Sequence, residues 1–373
     1  MAHVLPRDAC LGEDRKERIQ REASRLLKAG VAGRVFPGGS VAIAYRRRGR
    51  WVQVLAAGGH LSRGGAPVSP ESLYDLGALT RPFVAVLTSR LFHRGRLSAD
   101  TQLRDVVSDL RGGPAASVCL GPLLEARGGI DAWGGLYLDV PHAHGSPAAR
   151  RWLSAEAGRR YEARLAGREL HGDLGYLLLG EAIVRATGEP LDALLGREVL
   201  STIGVEDEVF YLAALSHAEH EALLPRVAPT ERCQWRGRVL CGEVHDENCA
   251  AFGGVAGHAG LFGTARGVAA LGCALLDVRS KRRAALGDLP LGVDPASGLP
   301  LGFSRAIAAG QRGRRLGDAF GELGSVGTSI CCDETRGMVV VLLTNRIHPS
   351  RANEKILGFR PAFHDAIAAA YDG

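Results

Sequence analysis

The sequence predicts an α+β fold, because strand signals gather toward the two ends of the chain while the stretch between them reads as helix. Two apolar runs, Val41 to Tyr45 and Trp51 to Ala57, flank a short basic turn in the manner of a hairpin. The run Gly337-Met338-Val339-Val340-Val341-Leu342-Leu343 has the continuous β-branched character of a strand buried on both faces. From about Val106 to Arg232 the pattern changes to helices broken by Gly-rich loops.

In chain order, Glu13 to Ala29 carries apolar residues at helical spacing (Ile19, Ala23, Leu26, Leu27) with charges on the other side, so it predicts a helix laid against a sheet. The basic run Arg46-Arg47-Arg48-Gly49-Arg50 reads as the solvated turn of the hairpin that follows. Ala78 to Phe92 predicts a buried helix, with Pro82 tolerated in its first turn. Positions 78 and 81 lie three apart on it and so share a face about one turn apart. Leu174 to Thr187 predicts a further helix with a stripe of Leu177, Leu178, Ile183 and Val184, and strand signals return after Gly253. With 373 residues, 46% of them hydrophobic, the chain is long enough for one large domain or two lobes sharing a core.

The formal charge of +6 is modest. Four of the 46 basic residues are lysines (Lys16, Lys28, Lys281, Lys355) and the rest are arginines, a skew read as codon composition rather than a nucleic-acid surface. Pro6, Arg7 and Asp8 stand where an export signal would need an apolar core, and no stretch approaches the roughly 20 apolar residues that span a bilayer. The expectation is a cytoplasmic protein with no nucleic-acid or membrane partner and with free thiols at its eight cysteines. Cys241, His245 and Cys249 recur every four residues and would share a helix face, which raises a metal site. With no fourth ligand at clear spacing, neither a metal nor a cofactor is expected.

The segment Tyr74-Asp75-Leu76-Gly77-Ala78-Leu79-Thr80-Arg81-Pro82-Phe83-Val84 resembles the one that carries Ser-x-x-Lys in the serine β-lactamase and penicillin-binding-protein family. Ala78 stands where the serine belongs and Arg81 where the lysine belongs. The likeness continues through Phe36-Pro37-Gly38-Gly39, Gly95-Arg96-Leu97-Ser98-Ala99-Asp100, Asp173-Leu174-Gly175-Tyr176, His245-Asp246-Glu247-Asn248, Gly257-His258-Ala259-Gly260 and Gly324-Ser325-Val326-Gly327-Thr328-Ser329 to Thr344-Asn345-Arg346-Ile347-His348-Pro349. It is most similar to the class C and esterase-type branch. The resemblance implies a β-lactamase/transpeptidase-like single domain over 1–373, an antiparallel sheet flanked by terminal helices. An α/β lobe of about 1–77 and 253–373 would hold an all-helical lobe of about 78–252, with the active site in the cleft between them.

In that family the serine attacks a carbonyl, the lysine takes its proton, a Tyr or Ser from the helical lobe relays protons, and a Lys or His followed by Thr-Gly lines the edge strand. The resemblance maps these roles to Ala78, Arg81, the His171-Gly172-Asp173 triplet and Glu322-Leu323-Gly324, so every reactive side chain differs. Ala78 has no hydroxyl and cannot form an acyl-enzyme. Arg81 keeps a charge but, with a pKa above about 12, cannot act as a base near neutrality. His171 titrates near neutrality and is either a proton carrier or a polar residue left in a cleft. Glu322 reverses the charge expected on the edge strand, and it is placed to pair with Arg81 across the cleft. The backbone N–H groups of Ala78 and Ser325 retain the family's oxyanion hole.

Thr80 turns away from position 78 around the helix and Ser72 reads as turn chemistry, which leaves Ser325 with His171 as the alternative nucleophile and base. The leading reading is a catalytically inactive family member that keeps the cleft (Ala78, Arg81, His171, Asp173, Glu322, Gly324, Ser325) for a small carbonyl or muropeptide-like ligand. The alternatives are a hydrolase of esters, amides or D-amino-acid peptides using rearranged residues (His171, Asp173, Ser325, Glu322), and a structural partner of another protein.

Overall fold

The computed structural model describes residues 7–170, 172–280, 300–303, 313–317 and 319–373, with side chains from Arg15 onward. Its centre is an antiparallel five-stranded sheet ordered Phe320–Gly324, Thr328–Asp333, Met338–Thr344, Gly38–Arg47, Arg50–Gly59. The continuous apolar run predicted as a buried strand is the central one, flanked by Gly38–Arg47 with Val41 opposite Leu342 and Ile43 opposite Val340. Successive side chains point to opposite faces of a strand. Val41, Ile43, Tyr45, Val340 and Leu342 therefore face the helices Arg7–Ala32 and Ile356–Asp372, meeting Ile19, Ala23, Leu27, Phe363 and Ile367. Ala42, Ala44, Val339, Val341 and Leu343 face the other way, toward Val268, Leu271 and Leu275 of the helix Ala265–Arg279. Burial on both faces is why the central strands lack the polar alternation of a half-exposed sheet.

The basic turn closes a two-residue hairpin, Arg47 opposite Arg50, in which Arg48 and Gly49 take φ of 48° and 81°. Positive φ at both positions matches the right-handed twist of the strands. One member of the run is not simply solvated: Arg46 lies 4.5 Å over the Trp51 ring and pairs with Asp277 of the helix behind the sheet.

A small three-stranded sheet, Tyr74–Asp75, Leu261–Gly263, Val209–Tyr211, leads the chain into a turn at Gly77 and the helix Thr80–His93. Residues Thr80 through Leu91 are all buried, so the helix is enclosed on every side. Two of its three buried hydroxyls are satisfied within the helix, Thr88 Oγ1 donating to the Val84 carbonyl (2.8 Å) and Ser89 Oγ to that of Ala85 (2.9 Å). The following segment holds the helices Pro147–Arg159 and Asp173–Thr187 together with two short antiparallel pairs, Gly128–Ile130 with Tyr161–Ala166 and Arg232–Cys233 with Arg238–Val239. The Asp173–Thr187 helix buries Leu177, Leu178 and Ile183 and half-buries Val184.

Candidate active site

The site forms where the Thr80–His93 helix begins beside the edge strand Phe320–Gly324. Asp75, buried, accepts a hydrogen bond from Gly77 N at Oδ1 (2.8 Å) and from His245 N at Oδ2 (2.6 Å), which pins the turn ahead of the helix. Burial raises the Asp75 pKa, while the two backbone donors act against it. Gly77 has φ 54°, and a Cβ there would stand 3.1 Å from Val326 Cγ2 and 3.7 Å from Gly324 Cα. Thr328 Oγ1 donates to the Leu76 carbonyl (2.9 Å), a side-chain bond that joins the helix start to the sheet edge. That approach sets Ala78 beside the Gly324–Ser325 end of the strand. Among the described residues, neither the Ala78 nor the Ser325 amide donates a backbone hydrogen bond to another part of the chain.

Strand alternation puts Glu322 on the same face as Phe320, turned into the molecule and 1% exposed. There the structure pairs it with Arg81, Nη2 to Oε1 3.1 Å. Arg81 Nη1 lies 4.0 Å from Asp173 Oδ1 and donates to the Gly172 carbonyl at 3.4 Å. Burial would lower the Arg81 pKa, but Glu322 and then Asp173 outweigh it and hold the guanidinium charged. Asp173 moves up, chiefly through burial, against the pull of His258 and Arg81. The void bounded by Arg81, Tyr176, Phe303 and Glu322 is about 20 Å³, enough for one water. Tyr176 donates its hydroxyl to the Leu124 carbonyl (3.0 Å), and burial raises its pKa.

Of the site residues expected from sequence, Ala78, Arg81, Asp173, Glu322 and Gly324 converge at this junction, and His171 lies outside the described residues. Ser325 departs from expectation. The strand ends at Gly324, and Ser325 occupies the turn beyond it with its side chain exposed. No described residue hydrogen-bonds its hydroxyl, whereas its carbonyl accepts from Arg346 Nε at 2.9 Å. Thr80 is excluded as a nucleophile because its buried Oγ1 accepts from Leu261 N (3.3 Å), and Ser72 Oγ serves the turn by accepting from Ser69 N (2.9 Å).

A helix that would put Cys241, His245 and Cys249 on one face is not formed, since the helix begins only at Glu247, where Asp246 caps it by accepting from Cys249 N (2.7 Å). Cys241 is exposed, Cys249 Sγ turns to the Ala259 carbonyl (3.3 Å), and His245 Nε2 faces Glu231 Oε1 (3.2 Å). Asp246 also pairs with the buried His258, Oδ1 to Nε2 3.0 Å. The sequence reading missed the work of Asp75, Tyr176 and His258, although all three lie in segments that carried the resemblance.

A sequence profile described as Beta-lactamase matches residues 23–359. The chain belongs to the Beta-lactamase family. It is 24% identical to an N-acetylmuramyl-L-alanine amidase of Bacillus subtilis (strain 168), over 88% of this chain and 81% of that one. It is 23% identical to a putative D-alanyl-D-alanine carboxypeptidase of Escherichia coli (strain K12), over 74% and 70%. Among solved structures, it resembles EstCE1, a hydrolase with promiscuous acyltransferase activity, with TM-score 0.67, 16% identity, and 96% and 99% coverage. A class C β-lactamase from Rhodobacter sphaeroides gives TM-score 0.65, 16% identity, and 92% and 99% coverage. These likenesses establish a β-lactamase/transpeptidase-like fold. Among the described residues, no helix is long and apolar enough to cross a membrane.

Proposed function

We propose that this member of the Beta-lactamase family is catalytically disabled and acts through binding or scaffolding rather than turnover. The observation that carries the reading is the Arg81–Glu322 ion pair beneath Ala78. It occupies the ground where the family's base would work, next to a position with no nucleophile. Arg81, held charged, supplies no base. What remains on offer at the cleft is the pair of backbone amides at Ala78 and Ser325, suited to a carbonyl or carboxylate oxygen. The relatives named for amidase and carboxypeptidase activity on muramyl and D-alanyl compounds make a muropeptide-like ligand the natural class to try.

The test is intact-protein mass spectrometry after incubation with a fluorophosphonate and with a penicillin, alongside an active family member. The expected result is an unmodified mass for this chain. A stoichiometric adduct, mapped for instance to Ser325, overturns the proposal and assigns a relocated nucleophile.

A further inference from the structure

A second cluster of chemistry-bearing side chains lies away from the Arg81–Glu322 pair. Glu231, Cys233 and Glu247 are buried, and one ligand atom from each falls within 4.8 Å of the others. His245 joins them, with Nε2 3.2 Å from Glu231 Oε1, buried and without a hydrogen bond of good geometry. A nitrogen, a sulfur and two carboxylate oxygens thus converge from the short Arg232–Cys233 strand, the loop before the Glu247–Phe252 helix and the first residue of that helix.

Arg351 covers the cluster from outside, its side chain 52% exposed. Its Nε donates to Glu231 Oε2 (2.8 Å), and its Nη2 reaches Glu247 Oε1 (2.5 Å) as well as Glu231 Oε1. The guanidinium accounts for the two carboxylates, but it offers nothing to a thiol or to an imidazole nitrogen. The donor set of thiolate, imidazole and carboxylate is the one that suits Zn²⁺, whose four bonds of about 2.0–2.3 Å require ligand atoms roughly 3.5 Å apart. The Glu231, Cys233 and Glu247 ligand atoms now lie within 4.8 Å of one another, so a bound ion would draw them closer by side-chain rotation.

We propose that Glu231, Cys233, His245 and Glu247 form a structural Zn²⁺ site, in which Arg351 is the resident cation that the metal displaces. On binding, the Cys233 thiol releases its proton to solvent and Arg351 swings outward, a short path for a side chain already half in water. Four protein ligands leave no open position, so the site fixes structure rather than activating water. It is tied to the active-site junction, because His245 N donates to the same Asp75 that holds Gly77. The inference does not rest on the silent-cleft reading, and either can fail alone.

The test uses the full chain, stripped of metal by chelator, and Co²⁺ as a spectroscopic stand-in for Zn²⁺. The expected result is a 1:1 complex with a thiolate-to-cobalt charge-transfer band that Zn²⁺ bleaches. Cys233→Ser loses the band and weakens Zn²⁺ binding by about 100-fold or more, whereas the exposed Cys241→Ser leaves both unchanged. Arg351→Ala tightens binding roughly 10-fold by removing the competing cation, a direction that an adventitious site would not produce. X-ray absorption on the wild-type Zn²⁺ complex, which needs no variant to fold, reports one sulfur in the first shell. Absence of a stoichiometric complex, a band that survives Cys233→Ser, or a shell without sulfur overturns the proposal.

Discussion

At the scale of single residues, two of the positions that differ from the family's pattern, Ala78 and Arg81, lie on one helical turn, and the structure shows why restoring them alone is not enough. Ala78→Ser with Arg81→Lys rebuilds a nucleophile and a base three residues apart. Yet Glu322, 1% exposed, would take the new lysine as its partner and hold it protonated. Groups that act as a unit are strongly non-additive, so the double variant should remain at least about 100-fold below an active relative in hydrolysis of nitrocefin and p-nitrophenyl esters. Turnover within tenfold would mean that Glu322 is neutral to the chemistry.

Charge at His258 makes a second residue-level prediction. Burial pulls its pKa down, but the Asp246 carboxylate, helped by Asp173 and opposed by Arg81, outweighs burial and raises it above 6.5. A raised pKa in the folded state contributes stability that is complete below the unfolded value and lost as pH climbs through the folded one. The melting-temperature gap between wild type and His258→Gln should therefore narrow between pH 6 and pH 9. A gap that is constant or widens would show that His258 is buried neutral.

At the scale of elements, the junction depends on a close approach that only glycine permits. A Cβ at Gly324 would stand 2.0 Å from Thr328 Oγ1 and 2.9 Å from the Leu76 carbonyl, so Gly324→Ala must push the edge strand from the helix start. Urea unfolding should show a loss on the order of 1–3 kcal/mol. A loss below about 0.5 kcal/mol, typical of a neutral surface change, would mean that the junction is looser than described.

Elements built on long apolar patterns were legible in the sequence. The first helix, the hairpin and the Met338–Thr344 strand all appear, because burying a face leaves a periodic record. Where the structure departs from the reading, a polar contact or a partner distant in sequence overrode the local pattern. Spacing by fours at Cys241, His245 and Cys249 suggested a helix, but the Asp246 cap starts it later, and Asp246 with its acidic neighbour Glu247 was itself a readable signal. Ser325, read as an alternative nucleophile, lies in the turn after the strand ends at Gly324. Arg46 looked solvated, but its Asp277 partner is distant in sequence and left no local trace. The Glu231–Cys233–His245–Glu247 cluster was invisible for the same reason, since only the fold brings its three segments together.

At the scale of the whole molecule, Arg81 and Glu322 belong to parts of the chain 241 residues apart, the helix that opens the middle segment and the edge of the main sheet. This pair thus ties these two parts together. A buried ion pair adds little net stability, but removing one partner leaves a dehydrated charge behind. The measurement that tests this account most directly is a double-mutant cycle by thermal and urea unfolding with Arg81→Met, Glu322→Leu and the two combined. Each single change should cost about 3 kcal/mol, and the double variant should recover roughly 2 kcal/mol or more of their sum. Strictly additive losses would mean that the two side chains do not interact, and the self-paired, silent cleft would have to be given up.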